Sequence, residues 1–247
     1  MAEETRTKFT SSGEICRGTL LLPATAHPVA GVVLCTGFAG TQDTPSVRAT
    51  AEAFTAAGYA TLTFDYRRFG ASDGRPRQVI RLRHQLRDIH AAVNHLRLEA
   101  RVDSARIALW GTSLGGAHAI VVAAERPDIA AVIAQVPFNG FPRGPRERST
   151  RSTLKLLRAM VWDQIRGALG LSPAYVRAVG KPGSTAVMAS AGAIEAIDGM
   201  RGTTWRNQVA PGVLFEMMRY RPGDAAVNLR APLLVCMAVN DREAPAS

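Results

Sequence analysis

Apolar and polar positions along this chain come in short blocks that switch between a strand-like and a helix-like period. Val29–Cys35 (VAGVVLC) is an apolar run bounded by Pro28 and Thr36-Gly37, the signature of a strand buried on both faces. Tyr59–Asp65, Arg106–Trp110, Ile129–Val136 and Pro232–Val239 repeat that signature. Residues 6–22 read as two strands broken at Ser12-Gly13, an antiparallel hairpin at one edge of a sheet. Between these runs the period changes. Val79, Leu82, Leu86, Ile89, Val93 and Leu96 recur at steps of 3, 4, 3, 4 and 3, with Arg81, Arg83, Arg87, Asp88 and Arg97 off the stripe, which predicts an amphipathic helix over 79–98. Ser46–Ala57 predicts a second helix, stopped by Gly58, and Ser113–Glu125 a third, closed by Pro127. Alternating strands and helices predict an α/β fold, a mostly parallel sheet with helices on both faces.

The rhythm breaks over 139–230, which is richer in Pro, Gly and Arg and carries helical pieces at Leu154–Leu169 and Val213–Arg219. So long a stretch is not a structureless loop. The pattern therefore predicts a layered core over 1–138 and 231–247, interrupted by a helical lid insertion over 139–230.

Composition narrows the class. A chain of 247 residues, 47% of them hydrophobic, can bury a full core. No apolar run approaches the roughly 18 residues of a membrane span, and Met1-Ala2-Glu3-Glu4 places acid where a secretory signal carries base, so a cytoplasmic location is expected. Cys16, Cys35 and Cys236 have no short spacing and read as small buried hydrophobes rather than a disulfide or zinc set. The net charge of +10 is almost all arginine, since Lys8, Lys155 and Lys181 are the only lysines. These cations are scattered without aromatic interleaving. They predict a solvated basic face with salt-sensitive, non-specific attraction for polyanions and no specific nucleic-acid partner. With no metal cluster, phosphate loop or dinucleotide fingerprint in the sequence, no cofactor is expected.

Gly111-Thr112-Ser113-Leu114-Gly115-Gly116 follows a predicted strand and opens a predicted helix. A G-x-S-x-G run in that setting points to a nucleophile elbow, where a sharp corner lifts the Ser113 hydroxyl above the sheet. Side chains at 111 and 115 would clash across such a corner, which accounts for both elbow glycines. Gly37-Phe38-Ala39-Gly40, directly after Val29–Cys35, is placed to turn the Phe38 N–H toward the same point. With the Leu114 N–H it would form a two-donor oxyanion hole. Asp65-Tyr66-Arg67-Arg68-Phe69-Gly70-Ala71-Ser72-Asp73-Gly74 reads as scaffold for the rim of the site.

Together GFAG, DYRRFGASDG and GTSLGG resemble the α/β-hydrolase superfamily. AGYATLTFDYRRFGASDG and RIALWGTSLGG are most similar to its branch of Xaa-Pro dipeptidyl-peptidase-like hydrolases and small serine esterases. The resemblance spans residues 14–241. It implies an α/β-hydrolase fold, Ser113 as nucleophile with Phe38 and Leu114 as backbone donors, and hydrolysis of carboxylic esters, thioesters or amides through an acyl-enzyme. The implied partner is a small-molecule acyl substrate, with no membrane; a homodimer is possible. Many relatives carry His before the first glycine of the oxyanion turn, where this chain has Thr36, so nothing is carried onto that position. An acyl pocket is expected from the insertion, drawing on Leu154, Leu157, Met160, Trp162, Leu214, Phe215, Met217 and Met218.

The order Ser, acid, His points to Asp241, directly after PLLVCMAV, as the orienting carboxylate. Asp163 and Asp198 are weaker alternatives, and the position after Ile129–Val136 offers only Asn139. No histidine follows Asp241. His27, His84, His90, His95 and His118 all precede it and read as surface or satisfied core residues. The expectation is a fragment whose last strand, histidine loop and terminal helix lie beyond Ser247, and whose turnover is impaired. The alternative is a hydrolase-fold protein that binds without turnover.

Overall fold

The structure is a computed structural model that describes residues 2–141, 149–190, 192, 199 and 201–238. Seven of the described strands form one sheet: β1 (Glu3–Ser11), β2 (Glu14–Leu22), β3 (Val29–Cys35), β4 (Ala60–Phe64), β5 (Val102–Thr112), β6 (Ala131–Gln135) and β9 (Leu233–Cys236). They are ordered β1-β2-β4-β3-β5-β6-β9. β1 and β2 pair antiparallel, as does β2 with β4; every other pair is parallel. The β1–β2 hairpin closes through Ser12 (φ 49) and Gly13 (φ 86), the two positive angles that a two-residue turn with the right twist requires.

Alternation along β3 shows how the layers are built. Val33 and Cys35 face a large core shared with α2 (Leu82–Arg97) and α3 (Leu114–Glu125). Val32 and Leu34 face a smaller core with Val47 and Ala51 of α1 (Pro45–Ala56) on the opposite side. The expected fold class, a mostly parallel sheet with helices on both faces, is the one observed. Between β6 and β9 lie α4 (Thr150–Ala168), the short parallel strands β7 (Arg177–Val179) and β8 (Ala186–Met188), and two five-residue helices, α5 (Val213–Met217) and α6 (Pro222–Ala226). The two short strands, three residues each, are too brief for a period of two to register in the sequence.

Three local expectations are corrected. The 79–98 helix begins only at Leu82. Gln78 takes φ 57, donates its N–H to the Arg68 carbonyl and accepts from the Ala210 N–H, so residues 78–81 are drawn into the insertion instead of the helix. Asp88, off the apolar stripe in sequence, is fully buried on α2. Its carboxylate takes the Arg67 N–H at 3.0 Å, Nε at 2.8 Å and Nη2 at 2.6 Å, tying α2 to the turn after β4. Removing one partner of such a pair strands the other charge in the core, so Asp88→Ala is expected to lower stability by about 3–5 kcal/mol in urea unfolding. Cys16 and Cys35 are buried as expected, but Cys236 is exposed, because β9 lies at the margin of the described sheet.

Candidate active site

β5 ends at Thr112, α3 starts at Leu114, and Ser113 between them has φ 53 and ψ −120. For a residue with a side chain this backbone is strained by about 1–3 kcal/mol and persists only where neighbours impose it. Those neighbours are identifiable. The Ser113 N–H donates to the Gln135 carbonyl at 2.9 Å, while its own carbonyl accepts from the N–H groups of Ala117 and Phe138, each at 3.1 Å. The end of β6 and the chain just after it thus grip the corner from one side. The glycines open the other side: a Cβ on Gly111 would overlap the Gly115 carbonyl, and one on Gly115 would overlap the carbonyls of Cys35 and Thr36. Ser113 itself is half-buried, within reach of a ligand.

The Gly37–Gly40 turn stands directly across from this corner. A Cβ on Gly37 would lie 3.4 Å from the Ser113 Cβ and 3.3 Å from the Thr112 carbonyl oxygen, so the two segments are in contact. The turn is closed by the Gly40 N–H donating to the Gly37 carbonyl at 3.0 Å, with Ala39 at φ 56 and the Thr36 hydroxyl bracing the Gly40 carbonyl. Leu114 is the first residue of α3, so its N–H has no acceptor within the helix, and the positive end of the helix dipole lies beside Ser113.

Two carboxylates that the sequence did not single out bracket the chain just past this turn. Asp65, buried at the end of β4, accepts from the Gln42 N–H (2.8 Å), the Gln42 amide (2.9 Å) and the Ala71 N–H (2.9 Å). Burial pushes its carboxyl upward, and those donors offset part of the rise. Asp43 faces the other way and gathers the insertion: Thr203 Oγ1 donates at 2.8 Å, the Thr204 N–H at 2.9 Å and Thr204 Oγ1 at 3.0 Å, with Thr41 Oγ1 at 2.6 Å. Burial opposes its charge, yet the donors from Thr41, Thr204 and Thr203 together hold its carboxyl below the usual range. Nothing in the sequence marks these partners, because 160 residues separate Asp43 from Thr203. Asp43→Ala should free this loop, and trypsin is expected to cut at Arg201 and Arg206 severalfold faster than in the parent chain.

The sequence-predicted acid, Asp241, lies outside the described residues, as does Asp198. Asp163 accepts the N–H groups of Ala174 (2.9 Å) and Gly212 (3.0 Å), a purely architectural use of both oxygens, and Asn139 accepts the Gly223 N–H. All five histidines are described; His118, His95 and His90 have side-chain partners other than Ser113, whereas the buried Nδ1 of His84 has no hydrogen-bond partner. His118 is fully buried with its rings' two nitrogens taken, Nε2 by Gln85 Oε1 at 3.0 Å and Nδ1 by the Tyr220 hydroxyl at 2.8 Å. His95 pairs with Thr7 and stacks on Phe9, and His90 meets Glu125 at the far end of α3, about 18 Å along the helix from its start. His84 sits among Arg67, Arg68 and Arg83, and His27 is exposed on the connection that leads into the amino end of β3.

Burial drives the His118 pKa down to about 3, and those of His84 and His95 below the ordinary value. The unfolded chain therefore binds protons that the folded chain refuses, so stability is full above about pH 6.5 and falls as the pH drops toward 3. His118 alone should contribute a slope of roughly 1.4 kcal/mol per pH unit in that window. Urea midpoints between pH 7 and pH 5 read it, and His118→Gln should flatten the dependence.

The expected acyl pocket is only partly assembled. Met160, Leu214 and Met217 are buried in the core, whereas Leu154, Leu157, Trp162 and Met218 are exposed and Phe215 is intermediate. Among the described residues, no group of His, Cys, Asp or Glu is arranged to hold a metal ion.

Comparison with known proteins decides the lineage. The family described as serine aminopeptidase, S33, matches residues 26–244. The chain belongs to this family of α/β hydrolases. The S33 hydrolase is 35% identical over 240 residues to the quorum-quenching protein AidA of Acinetobacter baumannii (strain MDR-ZJ06), covering 96% of this chain and 79% of that protein. It is 36% identical over 138 residues to the thiohydrolase apmlB of Arthrinium phaeospermum, covering 54% of this chain and 43% of that protein. In fold it resembles DcsB in complex with its substrate analogue, with a TM-score of 0.83 at 23% identity, over 98% of this chain and 83% of that one. This S33 hydrolase is an enzyme of the hydrolase class.

Proposed function

We propose that this hydrolase acts on carboxylic esters or thioesters through an acyl-enzyme on Ser113. One observation carries the reading: Ser113 is held at φ 53 between β5 and α3, gripped by Gln135 and Phe138, in contact with the Gly37–Gly40 turn. A serine on a strained backbone corner, at the start of α3 and against a glycine turn, is suited to attack a carbonyl, with main-chain N–H groups nearby to stabilise the oxyanion that forms. The Ser113 Oγ bonds to the acyl carbon, its proton passes to water or to a base in the buffer, and charge collects on the carbonyl oxygen opposite the N–H groups of Phe38 and Leu114. The C–O or C–S bond then breaks, the leaving group departs with a proton, and water hydrolyses the acyl-serine. Asp241 is the proposed orienting acid, and residues 139–230 the lid that selects the acyl group. The thiohydrolase likeness supports thioesters beside esters. A Xaa-Pro-type peptidase is the second reading, favoured by the serine aminopeptidase description of the family.

Prolonged incubation with p-nitrophenyl acetate is expected to acetylate Ser113, detected by mass spectrometry of its peptide. Ser113→Ala should leave that peptide unmodified. Acetylation elsewhere at equal rate in both proteins would overturn the proposal.

A further inference from the structure

α4 carries three longitudinal stripes, and only one of them faces the protein. Ser152, Leu156 and Met160, at steps of 4, are buried. Leu154, Leu157, Val161 and Ile165, at steps of 3, 4 and 4, point outward and are 58, 45, 45 and 43% exposed. Beside that row runs a third, Arg151, Lys155, Arg158, Trp162 and Arg166, in which Trp162 is 52% exposed and lies under the Arg166 guanidinium at 5.9 Å. Leu169 and Leu171 continue the apolar row past the helix end at 66 and 50% exposure. Single exposed apolar side chains are ordinary on a protein surface, but a contiguous row is a contact surface.

We infer that the outer face of α4 docks on an anionic lipid surface, with the aliphatic row entering the headgroup boundary and the adjacent cations meeting lipid phosphates. Charge selects this occupant. Among the described residues, Arg151, Lys155 and Arg158 form no ion pair with a carboxylate, and the single acid of the helix, Asp163, is consumed by two backbone N–H groups. Pairing two such faces in a dimer would bring two cationic rows together on chains that each carry +10. An aliphatic stripe flanked by Lys and Arg, with a tryptophan at the border, is the pattern of helices that lie in a membrane interface. The proposed association is peripheral, and no helix among the described residues is long and apolar enough to cross a membrane. It does not depend on the role of Ser113.

Co-sedimentation of the full chain with vesicles of phosphatidylcholine, alone or mixed with phosphatidylserine, tests the inference. Binding is expected to the mixed vesicles and to be at least tenfold weaker to phosphatidylcholine alone. Leu157→Gln/Ile165→Gln keeps the net charge and alters only exposed positions, so circular dichroism should be unchanged while binding falls at least tenfold. Lys155→Gln/Arg158→Gln should weaken it by a comparable factor. The inference is overturned by failure of the parent chain to sediment, or by full binding of the Leu157→Gln/Ile165→Gln protein, which would reduce the effect to net charge. It is equally overturned if sedimentation velocity without lipid shows a dimer that this variant abolishes, because a second copy would then be the occupant.

Discussion

Gly115→Ala is expected to cost at least about 3 kcal/mol of stability, a large share of the whole margin. The new methyl would enter the carbonyls of Cys35 and Thr36, which are main-chain atoms at the end of β3 and cannot swing aside as a side chain would. Overpacking a well-filled interior costs about 1–3 kcal/mol even where side chains can move, and a domain's whole margin is only about 5–15 kcal/mol. If the helix yields instead, α3 must retreat from β3, which parts Ser113 from the Gly37–Gly40 turn. Gly167→Ala on α4 is the control, since a Cβ there meets nothing within 4 Å. That substitution should raise stability slightly, by up to about 1 kcal/mol, by the usual advantage of alanine in a helix. Urea unfolding of both variants should therefore move in opposite directions, whereas equal and small shifts would show that the β3–α3 contact is loose.

The second large effect concerns turnover. Steady-state hydrolysis of p-nitrophenyl acetate by the 247-residue chain is expected to fall on the order of 10⁶ below that of a complete serine triad, with no burst. None of the five histidines is hydrogen-bonded to Ser113: His118 is locked between Gln85 and Tyr220, His95 on Thr7 and His90 on Glu125, while His84 lies beside Arg67, Arg68 and Arg83 and His27 is exposed before β3. With no side-chain imidazole at Ser113, imidazole added to the buffer should accelerate acylation severalfold, and Ser113→Ala should abolish that acceleration. A burst without added imidazole, lost in Ser113→Ala, would show that one of the five histidines moves to the elbow.

The layered architecture was legible because burial on two faces leaves runs such as VAGVVLC and IAAVIAQV, and burial on one face leaves the stripe of α2. The elbow was legible for a different reason: main-chain crowding at 111 and 115 excludes every side chain, which writes glycine into the sequence. Buried polar groups left no such trace. Asp88 reads as a solvent-facing acid on its helix, and only Arg67, 21 residues away, makes its burial tolerable. Gln85, His118 and Tyr220 form one buried chain of hydrogen bonds across 135 residues of sequence, and Asp43 clamps a loop 160 residues distant. Local periodicity carries no information about such pairings. The outward face of α4 was visible as a helical pattern, but only its exposure separates a surface row from the wall of a pocket.

Peptide mapping after treatment with a fluorophosphonate in the presence of imidazole reads whether Ser113 is the nucleophile. One phosphonylated residue, Ser113, is expected in the parent chain, and none in Ser113→Ala with the fold intact. Phosphonylation at another residue, or a silent Ser113 in a folded chain, would contradict that role.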